Sequence, residues 1–116
     1  MKDETLIVPK NPLYLPPWGD VNLIVLTDVH SWIAGHGRHE PKMNVDYGDV
    51  MSFVQHLRKH CKGDLFVVMN GDFMDGTGLS TRPPKYLTPL LEQMPFDIIN
   101  LGNHELYDNK TVDWIT

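Results

Sequence analysis

Three short apolar segments, each about as long as one β-strand, alternate along the chain with stretches whose apolar residues recur at helical spacing. The segments are residues 21–26, 65–69 and 96–101. Strands that alternate with helices favour right-handed crossovers and a parallel sheet. We therefore predict an α/β fold with a parallel βαβαβ unit. The apolar, β-branched character of the first two segments further predicts strands that are buried on both faces.

Helical spacing is visible in the two stretches between these segments. The first stripe consists of Val50, Phe53, Val54, Leu57 and Cys61, and the second of Leu87, Leu90, Leu91 and Met94. Each stripe predicts a helix with one apolar face. Gly63 predicts the end of the first helix and Pro84 the start of the second. A last helix is predicted to begin near residues 108–111.

Composition excludes several classes of protein. The 116 residues fit one small domain, and the net charge of −5 excludes a broad basic surface for nucleic acid or anionic lipid. The longest apolar runs are too short to cross a bilayer. Residues 1–20 contain four prolines, which predicts an extended arm before a domain at 21–116 and argues against an export signal. With Cys61 as the single cysteine, no internal disulfide can form, and the redox compartment stays open.

Polar residues cluster directly after each predicted strand. The clusters are residues 28–30 (Asp-Val-His), 70–72 (Asn-Gly-Asp) and 102–105 (Gly-Asn-His-Glu). The carboxyl ends of parallel strands meet at one edge of the sheet, which is where open α/β folds place their sites. We therefore expect these distant positions to meet in space.

The chemistry of these clusters points to metal ions. Carboxylate and amide oxygens and imidazole nitrogens suit Zn, Mn or Fe. Two such ions about 3.5–4 Å apart can activate a water and stabilise phosphoryl oxygens during an in-line displacement. Gly71 and Gly102 would let the backbone turn sharply beside the ions. These observations predict a dinuclear metal site.

The order of the motifs resembles a known family. Asp-x-His, Gly-Asp-x-x-Asp and Gly-Asn-His-Glu, each after a strand, resemble the first three blocks of the calcineurin-like metallophosphoesterases. The stretches TDVHSW, NGDFMDGTGLS and GNHELYD are most similar to the 5′-nucleotidase branch. The resemblance covers about residues 21–108. It implies that residues 21–116 form the N-terminal part of an incomplete metallophosphoesterase sandwich.

Residue roles follow from this resemblance alone. It implies that Asp28 and His30 hold the first divalent ion, that Asp72 bridges two ions, and that Asn103 holds the second. His104 would protonate the leaving alkoxide or stabilise the phosphoryl oxygens. The implied substrate is a small-molecule phosphate ester, nucleotide-like. Net charge and the short apolar runs, and not the resemblance, predict no nucleic-acid or membrane partner. The branch also includes secreted and vacuolar proteins, so the compartment stays open.

The sequence departs from the family pattern at three places. Gly76 stands where protein-phosphatase relatives carry an arginine, which argues against a Ser/Thr phosphatase. Tyr107 stands where 5′-nucleotidases place an aspartate, so Asp75 and Asp108 are both candidates to orient His104. Each has a structural alternative, a loop cap for the first and a helix N-cap for the second. The downstream Gly-His-x-His ligands of the family are absent from these residues.

Further polar and aromatic residues could serve the site, but each also has an ordinary interpretation. They are Trp32, His36, Arg38, His39, His56, His60 and Arg82. The histidines are better explained by a solvated helix face and a surface loop, and the arginines by solvation. The tryptophan fits stacking on a base and packing at the core edge equally well.

Three functions remain open at this point. The first is a metal-dependent phosphoester hydrolase that acts on a nucleotide-like monoester. The second is a non-catalytic metal-binding fragment or pseudoenzyme, suggested by the missing downstream histidines. The third is a phosphodiesterase of the same superfamily. The negative net charge makes long nucleic acid an unfavourable substrate for any of them.

Overall fold

A computed structural model describes residues 16–37, 40–42, 44–76 and 86–116 of the chain. Three parallel strands form one sheet in the order β1-β2-β3 within these ranges, with β2 in the centre. They are β1 (Val21–Leu26), β2 (Asp64–Asn70) and β3 (Ile98–Asn100). β2 pairs with the whole of β1, whereas β3 pairs only with the last three residues of β2. The predicted α/β fold with parallel strands is confirmed.

Helix α1 (Tyr47–His60) connects β1 to β2. A reciprocal capping box fixes its start: Asp46 accepts the N–H of Asp49 at 2.9 Å, and Asp49 accepts the N–H of Asp46 at 3.1 Å. The helix ends at His60, the N–H of the following Cys61 bonds to the last turn, and Gly63 lies in the turn into β2. The predicted stop signal is therefore in the right place.

Only part of the predicted apolar stripe of α1 is buried. Val54 and Leu57 are 0% and 3% exposed, but Phe53 is 46% exposed. Phe53 lies about 100° around the helix from Val54, at the edge of the face that the helix buries. The predicted apolar stripe is therefore wider than the face that the helix buries.

The chain between β2 and β3 is less helical than the sequence predicts. Helix α2 spans Thr88–Leu91, a single turn, instead of a helix that reaches residue 94. Pro89 is tolerated only in the first turn of a helix, and Pro95 disfavours helical backbone just before it, so the two prolines leave room for one turn. Pro84, the predicted start, lies outside the described residues. β3 is likewise shorter than the predicted segment of residues 96–101.

Two short helices follow β3. A 3-10 helix spans His104–Leu106, and α3 spans Asn109–Ile115. Asp108 caps α3 by accepting the N–H of Lys110 at 3.1 Å. The predicted last helix is therefore confirmed, with its start one residue after Asp108.

The core lies at the carboxyl end of the sheet, beneath the loops that carry the polar clusters. Its buried members are Met69, Phe73, Met74, Leu87 and Leu91, and Leu26, Val29, Ile33, Tyr47, Phe96 and Trp114 pack against them. The core thus contacts residues that directly follow β1 and β2. Packing in this region fixes the loops as well as the strands.

One face of the sheet is open in the described part of the chain. Val21, Leu23 and Val25 alternate along β1 and are 62%, 62% and 54% exposed. They are in register with the same face of β2 and β3, where Phe66 and Ile98 are also exposed. The prediction that the strands are buried on both faces is therefore wrong for β1, because the residues described here cover only the other face.

An ion pair ties α1 to the start of β3. The Nη2 atom of Arg58 lies 2.9 Å and 3.1 Å from the two carboxylate oxygens of Asp97. The same carboxylate accepts the N–H of Val67 in β2 at 2.8 Å. Asp97 therefore joins three elements of the fold at one side chain.

The predicted proline-rich arm is seen only at its end. Residues 1–15 lie outside the described residues, and Pro16 and Pro17 are exposed. In the described ranges no helix has the length and apolar character that a membrane crossing needs.

Candidate metal centre

Hydrogen bonds join the loop after β1 to the loop after β2. The N–H groups of Asp28, His30 and Ser31 donate to the main-chain oxygens of Gly71, Asp72 and Phe73, at 3.2, 2.9 and 2.9 Å. The parallel pairing of the two strands therefore continues, in altered form, past their ends. It brings the first two polar clusters together, as the strand order predicts.

Glycines allow the loops after β2 and β3 to touch through their backbones. Gly71 has a φ of +87°, and a Cβ on it would lie 2.6 Å from Cα of Gly102. A Cβ on Gly102 would collide with Oδ1 of Asp72 and lie 2.6 Å from its main-chain nitrogen. Only glycine permits this approach at both positions.

Three side chains converge where the loops meet. One ligand atom from each of His30, Asp72 and His104 lies within 4.8 Å of the others. Two ligands that each lie about 2.1 Å from one ion stand up to about 4.2 Å apart, so small side-chain adjustments would place all three on a shared ion. Two imidazoles and a carboxylate form a donor set that suits Zn, Mn or Fe. The residues therefore fit a divalent metal ion.

His30 is held in the orientation that a metal ligand needs. Its Nδ1 lies 3.0 Å from the main-chain oxygen of Asp75, and because a carbonyl only accepts, Nδ1 carries the proton. The Nε2 lone pair is then available to an ion. Histidine ligands commonly have such a partner on the second ring nitrogen.

His104 makes two polar contacts with the loop after β2. Its main-chain N–H donates to Oδ1 of Asp72 at 3.0 Å, and its Nδ1 lies 2.9 Å from Oδ2 of Asp75. The hydrogen bond to Asp75 is the largest influence that raises the pKa of His104, partial desolvation opposes it, and the charges of Asp72, Asp75 and Glu105 add to the increase. His104 also meets the His30 ring edge-on, with centroids 4.6 Å apart.

Asp75, and not Asp108, supplies the carboxylate on His104. Both aspartates were candidates from the sequence, but Asp108 accepts from Lys110 at the start of α3. The bond from Asp75 to His104 is well formed at 2.9 Å. The structural alternative predicted for Asp108 is therefore observed.

Asn103 is oriented by a tyrosine of this chain. Its Nδ2 donates to the Tyr107 hydroxyl at 2.6 Å, so its Oδ1 can face another group. The Tyr107 ring also lies against His104, with centroids 4.8 Å apart. Tyr107 thus contacts both residues of the third polar cluster to which the sequence assigns a site role.

Asp28 lies beside the group of three rather than within it. It is not among the described side chains whose ligand atoms all approach within 4.8 Å. Its Oδ2 accepts the Thr27 hydroxyl at 2.5 Å, and its main-chain bond to Gly71 keeps it at the same sheet edge. A role for Asp28 as a metal ligand remains a prediction.

The model of the calcineurin-like phosphoesterase family matches residues 21–115. The chain belongs to this family. A solved structure, that of 5′-nucleotidase from Candida albicans, superposes with a TM-score of 0.75 and 35% identity over 84% of this chain and 19% of that chain.

Curated relatives of this phosphoesterase chain come from fungi. A protein named as secreted in Arthroderma benhamiae is 38% identical over 88% of this chain and 16% of its own length. Uncharacterized proteins of Schizosaccharomyces pombe and Saccharomyces cerevisiae are 40% and 39% identical, over 78% and 77% of this chain and 16% of each relative. The chain therefore spans about a sixth of the length of these relatives.

Other residues considered from the sequence are spread over this phosphoesterase fold. His36 stacks on Trp32 with centroids 4.0 Å apart and lies 3.9 Å from the Glu40 carboxylate. His56 and His60 face each other on α1, with centroids 4.6 Å apart. Arg38, His39 and Arg82 lie outside the described residues.

Sequence reasoning missed the role of Glu105. The sequence places it in the third polar cluster and assigns it no role there, yet its side chain is 0% exposed and its carboxylate accepts three main-chain N–H groups. The donors are Asp72, Met74 and Gly102. Two of them lie in a different loop some thirty residues earlier, so no local pattern distinguishes this glutamate from an exposed one.

Five residues around this edge of the sheet have left-handed backbone. φ is between 46° and 62° at Asp28, His30, Ser31, Asp72 and Asp75. Non-glycine residues adopt this region at a cost, and such residues concentrate at functional sites. The clustering of five of them around one sheet edge supports a site at this position.

Proposed function

We propose that this chain contributes ligands to the metal centre of a phosphoester hydrolase that acts on a nucleotide-like phosphate monoester. The observation that carries the proposal is the convergence of two candidate ligands, His30 and Asp72, with the candidate acid His104 at the carboxyl end of the sheet. Family membership and the likeness to a 5′-nucleotidase support the same reaction class. Because the chain spans a small part of its relatives, further ligands would come from outside these residues.

In this proposal the loops of the chain hold two divalent ions. His30 and Asp28 would bind one ion, Asp72 would bridge, and Asn103 would bind the other through Oδ1. When bound, such ions supply the Lewis acidity that activates water and offsets charge on the phosphoryl group. The bond of His30 Nδ1 to Asp75 and of Asn103 Nδ2 to Tyr107 orients both ligands before an ion arrives.

His104 is proposed as the acid of the reaction. Water oxygen would form a bond to phosphorus while the ester P–O bond breaks, and the His104 imidazolium would give a proton to the departing alkoxide. Asp75 would accept from Nδ1 of the ring, which leaves the opposite nitrogen, Nε2, to carry the proton that is transferred. Such proton transfer contributes roughly 10²- to 10⁴-fold to rate.

Hydrolysis assays with a protein that contains these residues together with the remaining ligands test the proposal. We expect release of phosphate from adenosine monophosphate and from an aryl phosphate with added Mn²⁺ or Zn²⁺, and loss of turnover in EDTA. His104→Gln should lower kcat by roughly 10²- to 10⁴-fold, whereas His56→Gln on α1 should leave it within about twofold. Equal rates for His104→Gln and the unchanged chain would contradict the assignment.

The alternatives are separated by the same preparation. A bis-aryl phosphate hydrolysed faster than the monoester would favour a phosphodiesterase. Metal analysis that finds one weakly held ion and no turnover would favour a non-catalytic metal-binding fragment or pseudoenzyme. This second candidate has a specific basis, because the described residues bring together His104 and two candidate ligands, His30 and Asp72, and a dinuclear site needs more ligands than these two.

A further inference from the structure

We propose that Glu105 is a positioning residue for the metal centre, and that its buried carboxylate sets the distance between Asp72 and His104. The inference rests on the proposed function for the identity of the ion. Its structural basis is independent of that function. The carboxylate bonds to the loops after both β2 and β3, and the ion-binding side chains stand on these loops.

Both carboxylate oxygens of Glu105 accept short hydrogen bonds from main-chain N–H groups. Oε2 accepts the N–H of Asp72 at 2.7 Å and the N–H of Gly102 at 2.8 Å, and Oε1 accepts the N–H of Met74 at 2.9 Å. The side chain is 0% exposed. A buried carboxylate is costly unless it is hydrogen-bonded, and three N–H donors meet that need.

The two loops depend on this carboxylate because they meet through glycines. Gly71 and Gly102 are in backbone contact and contribute no side chain to the junction. The Glu105 carboxylate accepts two N–H groups from the loop after β2 and one from the loop after β3, so it links the two loops. The three donors all face the Glu105 carboxylate. A neutral amide at position 105 has one acceptor oxygen instead of two, so it could not accept all three N–H groups.

Asp72 transmits this constraint to His104. The N–H of Asp72 is fixed by Glu105, and Oδ1 of Asp72 accepts the N–H of His104 at 3.0 Å. A displacement of the Asp72 backbone would therefore move the main chain of His104 as well. Asp72 also has a φ of +53°, a strained conformation that persists only where the surrounding contacts hold it.

Titration of the full chain with Mn²⁺ and with Zn²⁺ by calorimetry tests the inference. We expect Glu105→Gln to weaken ion binding by roughly 10- to 100-fold, the usual effect of losing a residue that orients a ligand. Glu92→Gln, the same change at an exposed glutamate, should bind as the unchanged chain does. Glu105→Asp keeps the charge and shortens its reach, and it carries the same test if Glu105→Gln does not fold.

A destabilised control separates positioning from lost stability. Val54→Ala removes buried volume from α1 without touching either loop, and its urea midpoint can be compared with that of Glu105→Gln. Weaker ion binding in Glu105→Gln together with unchanged binding in Val54→Ala supports the inference. Equal weakening in both, or unchanged binding in Glu105→Gln, overturns it.

A measurement without metal distinguishes failure of the inference from failure of the proposed function. Amide hydrogen exchange should quicken at Asp72, Met74 and Gly102 in Glu105→Gln, and also at His104, whose N–H does not bond to Glu105. If exchange at His104 is faster in Glu105→Gln but the chain binds no ion, the positioning role of Glu105 is supported and the proposed metal function is refuted. Unchanged exchange at His104 would refute positioning even where ions bind.

Discussion

The hydroxyl of Tyr47 gives the sharpest test of the packing described above. Its oxygen is buried and has no hydrogen-bond partner among the described residues, while its ring packs edge-on against Phe96 with centroids 6.2 Å apart. Burying a hydroxyl without a partner costs roughly 1–3 kcal/mol in proteins. We therefore expect Tyr47→Phe to raise the free energy of unfolding by about 1–2 kcal/mol.

The assay is urea and thermal unfolding followed by circular dichroism. At roughly 4 °C per kcal/mol for a chain of this size, the melting temperature should rise by about 4–8 °C. Tyr47→Ala removes the ring as well as the hydroxyl and should lower the free energy of unfolding by roughly 2–4 kcal/mol. A loss of stability in Tyr47→Phe would show that the hydroxyl is paired or hydrated and would refute the reasoning.

The free energy of unfolding at alkaline pH gives a second test of the buried Tyr47 hydroxyl. Burial raises the pKa of Tyr47 from 10.0 to about 12. Below pH 10 the phenol is neutral in both states, and as pH rises from 10 towards 12 the unfolded state ionises first, so stability falls. At pH 11 the advantage of Tyr47→Phe should therefore grow by about 1.4 kcal/mol relative to pH 8. A constant difference between the two proteins would contradict the raised pKa.

Further substitutions test the junctions of the fold and the candidate ligand His30. Asp97→Ala should lower the free energy of unfolding by about 1–2 kcal/mol because it leaves the main-chain N–H of Val67 in β2 without its acceptor. Arg58→Met should lower it by under about 1 kcal/mol because the ion pair is partly exposed. Urea unfolding measures both changes. Gly102→Ala should lower the melting temperature and ion affinity because its Cβ meets the adjoining loop, while Gly19→Ala, where the nearest atom is 3.4 Å away, should change neither. His30→Gln should weaken Zn²⁺ binding by at least about tenfold in calorimetry and leave metal-free unfolding within about 0.5 kcal/mol; unchanged binding would exclude His30 as a ligand.

Much of the fold could be predicted because its signals are local. The period of the apolar residues locates β1, α1 and β2 nearly to the residue, and the parallel order follows from the alternation of strands and helices. The same alternation correctly brings the loops after the three strands to one edge. α2 is shorter than its apolar stripe suggests because Pro89 and Pro95 override periodicity, and both prolines were visible in the sequence.

The details of the site were less predictable because they depend on contacts between distant residues. The sequence could not choose between Asp75 and Asp108 as partner of His104, since the choice depends on how the loop after β2 folds back. Nor could it show that Glu105 faces buried N–H groups. The exposed face of β1 was missed for a related reason, because composition indicates which residues are apolar but not what covers them.

The left-handed backbone at the sheet edge sets the stability of the fold against the retention of candidate metal ligands. Asp28 has a φ of +55°, a conformation that glycine adopts at no steric cost, and Asp72 and Asp75 have nearly the same value. Replacing Asp28 with glycine would relax the main chain while deleting a candidate ligand. Selection for thermal stability alone would therefore tend to replace these aspartates with glycine. Stabilised designs of the family should retain the aspartates at these positions.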